Sequence, residues 1–248
     1  NLEHPEEIKG VKVRLKNNGA GTFNHVAKLD DKLVASHHLW GVLNVNLEEF
    51  LDDDDITINK KNFSRYFMQE HQNGVRASLV VDDNHFLVAT ANTINGYDAK
   101  LKLRQSWSFP EMVTSFAYNG KQLFVGTNRG KIFTANNNGN KATIESGHLS
   151  AITNLKANDD YLVFNTFTNC PGSFVYFTEL DEDGAIDESK TDNLEKVELY
   201  TPWLDLRGNT LYANNKDGMK LVKRDLATNE EISEIYFPRL GICSCIID

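Results

Sequence analysis

The chain has 248 residues, with 26 Lys and Arg against 35 Asp and Glu and a formal net charge of −9. Its 40% apolar and 10% aromatic content excludes a wholly disordered chain, and no run approaches the roughly 20 apolar residues of a membrane-spanning helix. Direct nucleic-acid binding is not expected, because phosphates repel an acidic surface that lacks a dominant basic patch; Lys60-Lys61 with Arg65, and Lys220 with Lys223-Arg224, each lie among acidic residues.

Residues 1–22 read as a leading segment in which 10–15 has the pattern of an outer strand of a preceding unit. The chain does not open on Met and shows no secretory leader, so it reads as a fragment or the ordered part of a longer protein. From residue 23 one plan recurs five times: a short apolar strand, a polar turn, and a second strand closing on a small polar residue. The first unit runs from Ala27-Lys28-Leu29 through Asp30-Asp31 to Leu33-Val34-Ala35-Ser36. The second runs from Leu79-Val80-Val81 through Asp82-Asp83-Asn84 to Leu87-Val88-Ala89-Thr90. The third joins Phe116-Ala117-Tyr118 by Asn119-Gly120 to Phe124-Val125-Gly126-Thr127. The fourth joins Leu155-Lys156-Ala157 by Asn158-Asp159-Asp160 to Val163-Phe164-Asn165-Thr166. The fifth joins Leu204-Asp205-Leu206 by Arg207-Gly208-Asn209 to Leu211-Tyr212-Ala213-Asn214.

The closing residues Ser36, Thr90, Thr127, Thr166 and Asn214 are separated by 54, 37, 39 and 48 residues. The two shorter spacings approach the period of about 40 residues of a four-stranded repeat. The longer ones carry insertions near 51–65 and 180–196, both hydrophilic and read as surface loops. Third strands follow at 92–98, 130–136 and 172–177, and fourth strands at 101–109, 141–146, 197–200 and 232–237. Helical periodicity is confined to 47–51 and 62–70, inside the first insertion. The 27 asparagines suit a chain of many short strands, since Asn closes turns through its own side chain. Residues 240–247 read as the first strand of a further unit or as a closing strand.

Several residues carry a family resemblance. Gly147-His148 precedes a first strand, Ser36, Thr90, Thr127 and Thr166 end second strands, and Asp217-Gly218 and Asn128-Arg129-Gly130 fill the turns that follow. Tyr97-Asp98 and Asp225 close third strands. In these features the chain resembles the WD-repeat β-propeller family over residues 23–248, although no unit holds the family's full His–Asp–Ser/Thr–Trp set. The resemblance implies an all-β propeller of four-stranded antiparallel blades, about five of them visible with partial strands at both ends, in a ring of six or seven. A blade is apolar on both faces, so neighbours must cover it. The resemblance also implies a non-catalytic scaffold for protein partners, a subunit or peptide-recognition module of a multiprotein complex. On that analogy His38, Trp40, Asn128, Arg129, Phe167 and Lys216 lie near one face and are the candidate partner-binding residues.

Chemistry is sparse. Three cysteines (Cys170, Cys243 and Cys245) give neither a disulfide framework nor a zinc spacing, which points to a reducing compartment, cytoplasmic or nuclear. His37-His38 lack a third ligand in sequence. The run from Glu179 to Ile186 resembles part of a calcium loop, but it puts Lys190 where a bidentate Glu is needed, so it reads as a solvated loop. No nucleophile elbow, phosphate loop or dinucleotide fingerprint occurs. No cofactor or metal is expected. The alternatives are a hydrolase-like propeller enzyme with a site in the central channel, or a nucleic-acid-associated subunit.

Overall fold

The computed structural model describes residues 12–15, 23–52, 55–58, 63–68, 75–136, 139–145, 150–166, 174–187, 194–199, 204–214 and 220–236. The chain forms two compact units, 1–106 and 107–248.

In the first unit β1 (Lys12–Leu15) is followed by β2 (Phe23–Leu29), β3 (Lys32–His37) and β4 (Gly41–Asn46), then α1 (Leu47–Asp52), β5 (Asp55–Ile58) and α2 (Phe63–Tyr66). A four-stranded sheet follows, made of β6 (Ala77–Asp82), β7 (His85–Thr90), β8 (Thr93–Asp98) and β9 (Leu103–Ser108), while β2-β3-β4 is three-stranded. The second unit holds three four-stranded sheets. They are β10 (Val113–Tyr118) with β11 (Leu123–Thr127), β12 (Lys131–Asn136) and β13 (Gly139–Glu145); β14 (Ile152–Ala157) with β15 (Tyr161–Thr166), β16 (Phe174–Glu179) and β17 (Glu195–Glu198); and β18 (Leu204–Arg207) with β19 (Thr210–Asn214), β20 (Lys220–Asp225) and β21 (Glu230–Tyr236). Strands adjacent in the chain pair antiparallel within each of these sheets, as the five repeats require.

Turn chemistry sets the hairpins. Asn119 Oδ1 accepts the amides of Lys121 and Gln122 at 3.1 and 2.8 Å, and its Nδ2 donates to the Gly184 carbonyl at 3.0 Å. Asn158 does the same one sheet later: Oδ1 takes the amides of Asp160 and Tyr161, and Nδ2 reaches the Gly208 carbonyl at 2.7 Å. Each Asn thus closes its own hairpin and ties it to the next sheet. Aspartates play the corresponding part after third strands. Asp98 Oδ1 accepts the amides of Lys100 and Lys102, and Asp225 Oδ1 those of Ala227 and Thr228.

The core lies between neighbouring sheets. Every residue of β15 is buried. Tyr161 and Val163 point into a cluster with Leu204, Leu211, Ala213 and Val222, while Leu162 and Phe164 point into one with Phe124, Ile132, Ile144 and Ile152. A strand covered on both faces reads as a continuous apolar run, whereas one-sided burial gives alternation. In the first unit Leu29, Val34 and Val42 of the three-stranded sheet pack with Phe86, Val88 and Tyr97 of the next. Neighbouring sheets approach closely at Gly126, where a Cβ would lie 2.6 Å from Ile152 Cγ2 and 2.7 Å from Ile152 Cβ.

The strand expected near 10–15 is present as β1, which pairs in parallel with β5, Lys12 opposite Asp55 through Leu15 opposite Ile58. The insertion near 51–65 supplies β5 and the single helical turn α2, the latter within the helical stretch expected at 62–70. Residues 240–247, Gly147-His148 and Asp217-Gly218 lie outside the described residues.

Candidate functional site

Of the candidate residues, His38, Trp40, Asn128 and Arg129 sit in turns that follow second strands. At the end of β3, just before the β3–β4 turn, Ser36 and His37 are buried. His37 Nδ1 accepts the amides of Leu39 and Trp40, each at 3.2 Å, so its ring proton resides on Nε2. The His37 ring stacks on Trp40 at 4.7 Å and 18°, and on His38 at 5.2 Å and 23°. Trp40 in turn meets Phe67 edge-on at 6.3 Å. His37 thus organises His38 and Trp40 into one stacked plate, at whose tip Leu39 is 45% exposed. Below it a polar chain crosses to the neighbouring sheet: Ser78 Oγ donates to Ser36 Oγ at 3.0 Å and lies 3.1 Å from His25 Nδ1.

The β11–β12 turn is built on Thr127, which is fully buried. Its hydroxyl donates to Glu111 Oε2 at 2.7 Å and accepts the amides of Arg129 and Lys131 at 3.4 and 3.2 Å. Glu111 Oε1 lies 3.7 Å from Lys131 Nζ. The Asn128 amide donates to the Met112 carbonyl at 3.0 Å. A buried threonine at the end of β11 is thus tied to a carboxylate that precedes β10. The turn holds Asn128 half-buried and turns Arg129 out to solvent.

The first strands share a further feature. Register shifts occur between Phe23 and His25, Val113 and Ser115, and Ile152 and Asn154, at equivalent points of three sheets. A bulge frees its extra residue from the ladder. Thr114 uses that freedom to donate to the Ile152 carbonyl at 2.7 Å, and Ser115 Oγ reaches the same carbonyl at 2.9 Å.

His38 and Trp40 are thus brought together, as are Asn128 and Arg129, while Phe167 and Lys216 lie outside the described residues. Sequence reasoning missed Glu111 and the organising part of His37. The available signal for Glu111 was its position just before a first strand, where Gly147-His148 stands in the next unit. Asp181, central to the partial calcium loop, spends Oδ1 on the amides of Asp183 and Ala185. Among the described residues no group of three or more His, Cys, Asp or Glu side chains could hold a metal, and no helix is long and apolar enough to cross a membrane.

No protein-family model and no curated protein matches the chain. Among solved structures it is similar to the WD40 domain of Pan2 from Neurospora crassa, with a TM-score of 0.61 and 12% identity over 88% of this chain and 66% of that one. It is also similar to the computationally designed protein Ika8, with a TM-score of 0.58 and 14% identity over 91% of this chain and 65% of that one. The chain therefore spans just under two thirds of the length of each. At such identity the likeness concerns the fold alone, and the fold is all-β and propeller-like.

Proposed function

We propose that this chain is a non-catalytic protein-interaction scaffold, a subunit or peptide-recognition module of an intracellular multiprotein complex, which takes partner segments at the turns after its second strands. The observation that carries this reading is the construction of those turns. Exposed His38, Leu39 and Arg129 stand on the buried anchors His37 and Thr127, whose hydrogen bonds determine the turn backbone. Side chains held this way lose little freedom on binding, which favours affinity. Half-buried Trp40 and exposed Arg129 are also of the residue types that dominate interface energetics. By the repeat pattern Phe167 and Lys216 belong to the same set.

The test is quantitative capture of partners by the full chain and by Trp40→Ala and Arg129→Ala variants, followed by titration of each captured protein. The expected loss is about tenfold or more in affinity for at least one variant, a typical hot-spot effect. Partner binding unchanged in both variants would remove these turns from the interface.

A further inference from the structure

His37 holds the β3–β4 turn through a single ring atom. The residue is 1% exposed, and its Nδ1 accepts the amides of Leu39 and Trp40, each at 3.2 Å. An imidazole nitrogen accepts only while it carries no proton. A proton placed on Nδ1 would face two N–H donors, so the turn would lose two hydrogen bonds and gain a repulsion. It would also set a positive charge where little water reaches it. The closed turn is therefore open to the neutral ring alone. Histidine is also the side chain whose ordinary titration falls between about pH 5 and 8.

The described groups around the ring do not offset that cost. His38, stacked on it at 5.2 Å, gains a like charge over the same pH range. On β2, His25 lies opposite Ser36 and so faces away from His37, with its Nδ1 against Ser78 Oγ. Val75, whose amide donates to the His37 carbonyl at 3.4 Å, is followed by the exposed cation Arg76. On α1, which packs against β3 and β4, Glu48 is exposed and Glu49 is taken up by Arg65 and the Tyr66 hydroxyl. Asp31 and Lys32 pair with each other at the far end of β3. The Trp40 ring, stacked at 4.7 Å, attracts a cation, but one ring face does not replace two hydrogen bonds and the lost water.

We infer that His37 makes the β3–β4 turn a pH-responsive element, closed while the imidazole is neutral and opened when the ring takes a proton at Nδ1, which releases Leu39 and Trp40 from the stacked plate. The closing contribution is complete above about pH 6.5, the ordinary imidazole value that the ring regains in the open turn, and is lost progressively as pH falls below it. The open fraction therefore rises about tenfold between about pH 7.5 and about pH 5.5. The β11–β12 turn holds its amides with the Thr127 hydroxyl instead and does not respond in that range. On the reading that both turns take partners, acid loosens one part of the interface and leaves the other; the response of the turn itself stands whether or not either turn binds.

The test is amide hydrogen exchange on the full chain at about pH 7.5 and about pH 5.5, expressed as protection relative to the unstructured rate at each pH. Protection of the Leu39 and Trp40 amides is expected to fall about tenfold on acidification. That of Arg129 and Lys131, and of Phe86 and Val88 in β7, is expected to hold. In His37→Asn, whose Oδ1 sits about where Nδ1 did and takes no proton, the fall is expected to vanish. In His38→Gln it is expected to remain. Ring nitrogen chemical shifts need no variant, and they decide the matter with the unaltered chain should His37→Asn fail to fold: the proton is expected on Nε2 at about pH 7.5. Equal protection at both pH values, a fall shared by β7, loss of the response in His38→Gln, its survival in His37→Asn, or a proton on Nδ1 at about pH 7.5 would each overturn the inference. No partner is measured here, so this outcome and that of the Trp40→Ala and Arg129→Ala captures are separate results.

Discussion

Substitution of Gly126 by Ala tests the packing of neighbouring sheets most directly. The added methyl would lie 2.6 Å from Ile152 Cγ2, 2.7 Å from Ile152 Cβ and 2.8 Å from Ser115 Oγ. The Cβ of Ile152 is attached to the backbone of β14, so relief requires a shift of the strand and not merely of a rotamer. That strand is also held by Thr114 and Ser115, which both donate to the Ile152 carbonyl. Overpacking of this kind costs about 1–3 kcal/mol, and losing the buried Ser115 hydrogen bond adds on the order of 1 kcal/mol. Urea titration of Gly126→Ala is expected to show a lower midpoint at unchanged slope, which reports a change in native stability. In a Ser115→Ala background, where the 2.8 Å contact is gone, the cost of Gly126→Ala is expected to shrink. A change within about 0.5 kcal/mol, the range of an ordinary surface substitution, would refute the close approach of β11 to β14.

Asn119→Ala and Asn158→Ala each remove an acceptor for two turn amides and a donor to the next sheet, at a cost of about 1–3 kcal/mol; Asn158→Asp, which keeps the acceptor, is expected to cost less, as thermal melts would show. Thr127→Val preserves shape but leaves the largely buried Glu111 carboxylate without its hydroxyl donor and the turn amides without their acceptor. Denaturant titration is expected to show a loss of about 1–3 kcal/mol, and a neutral outcome would exclude Thr127 as the organiser of its turn. The Asp98 carboxyl is held below its usual value of 3.8, chiefly by the Lys102 amide and then by the Arg104 side chain. A depressed carboxyl contributes stability above its unfolded pKa and loses it as pH falls through the folded one. The deficit of Asp98→Asn should therefore be largest above about pH 5 and narrow below pH 3.8; a deficit independent of pH in melts from pH 3 to 7 would contradict this. The effect is modest, because the group is exposed.

Much of the fold was legible because the signals were local. A hairpin is written in a few adjacent residues, as in Tyr118-Asn119-Gly120, and a strand buried on both faces shows as an apolar run such as 161–164. Recurrence of that pair of signals at five places pointed to five sheets, and five antiparallel sheets of this kind, one of them three-stranded, are found among the described residues. Pairing of β1 with β5 was not legible, because two four-residue strands about forty positions apart leave no local mark of their partnership. The turn candidates were legible as positions. Their construction was not: Glu111 meets Thr127 across sixteen positions, and the proton of His37 is located by two backbone amides that its sequence does not specify.

The sequence by itself therefore determined the repeat, the hairpins, the apolar strands and the acidic balance of this protein. All of these follow from φ/ψ preference, side-chain period and charge, which act over a few residues. Tertiary structure alone decided which strands cover one another, where a missing Cβ permits close approach, which polar groups organise the turns, and that Ile232, Ile235 and Tyr236 stay in water on an open edge. Those depend on which distant residues arrive at the same place, and the segment from Glu230 to Tyr236 reads like any other outer strand until its neighbours are known.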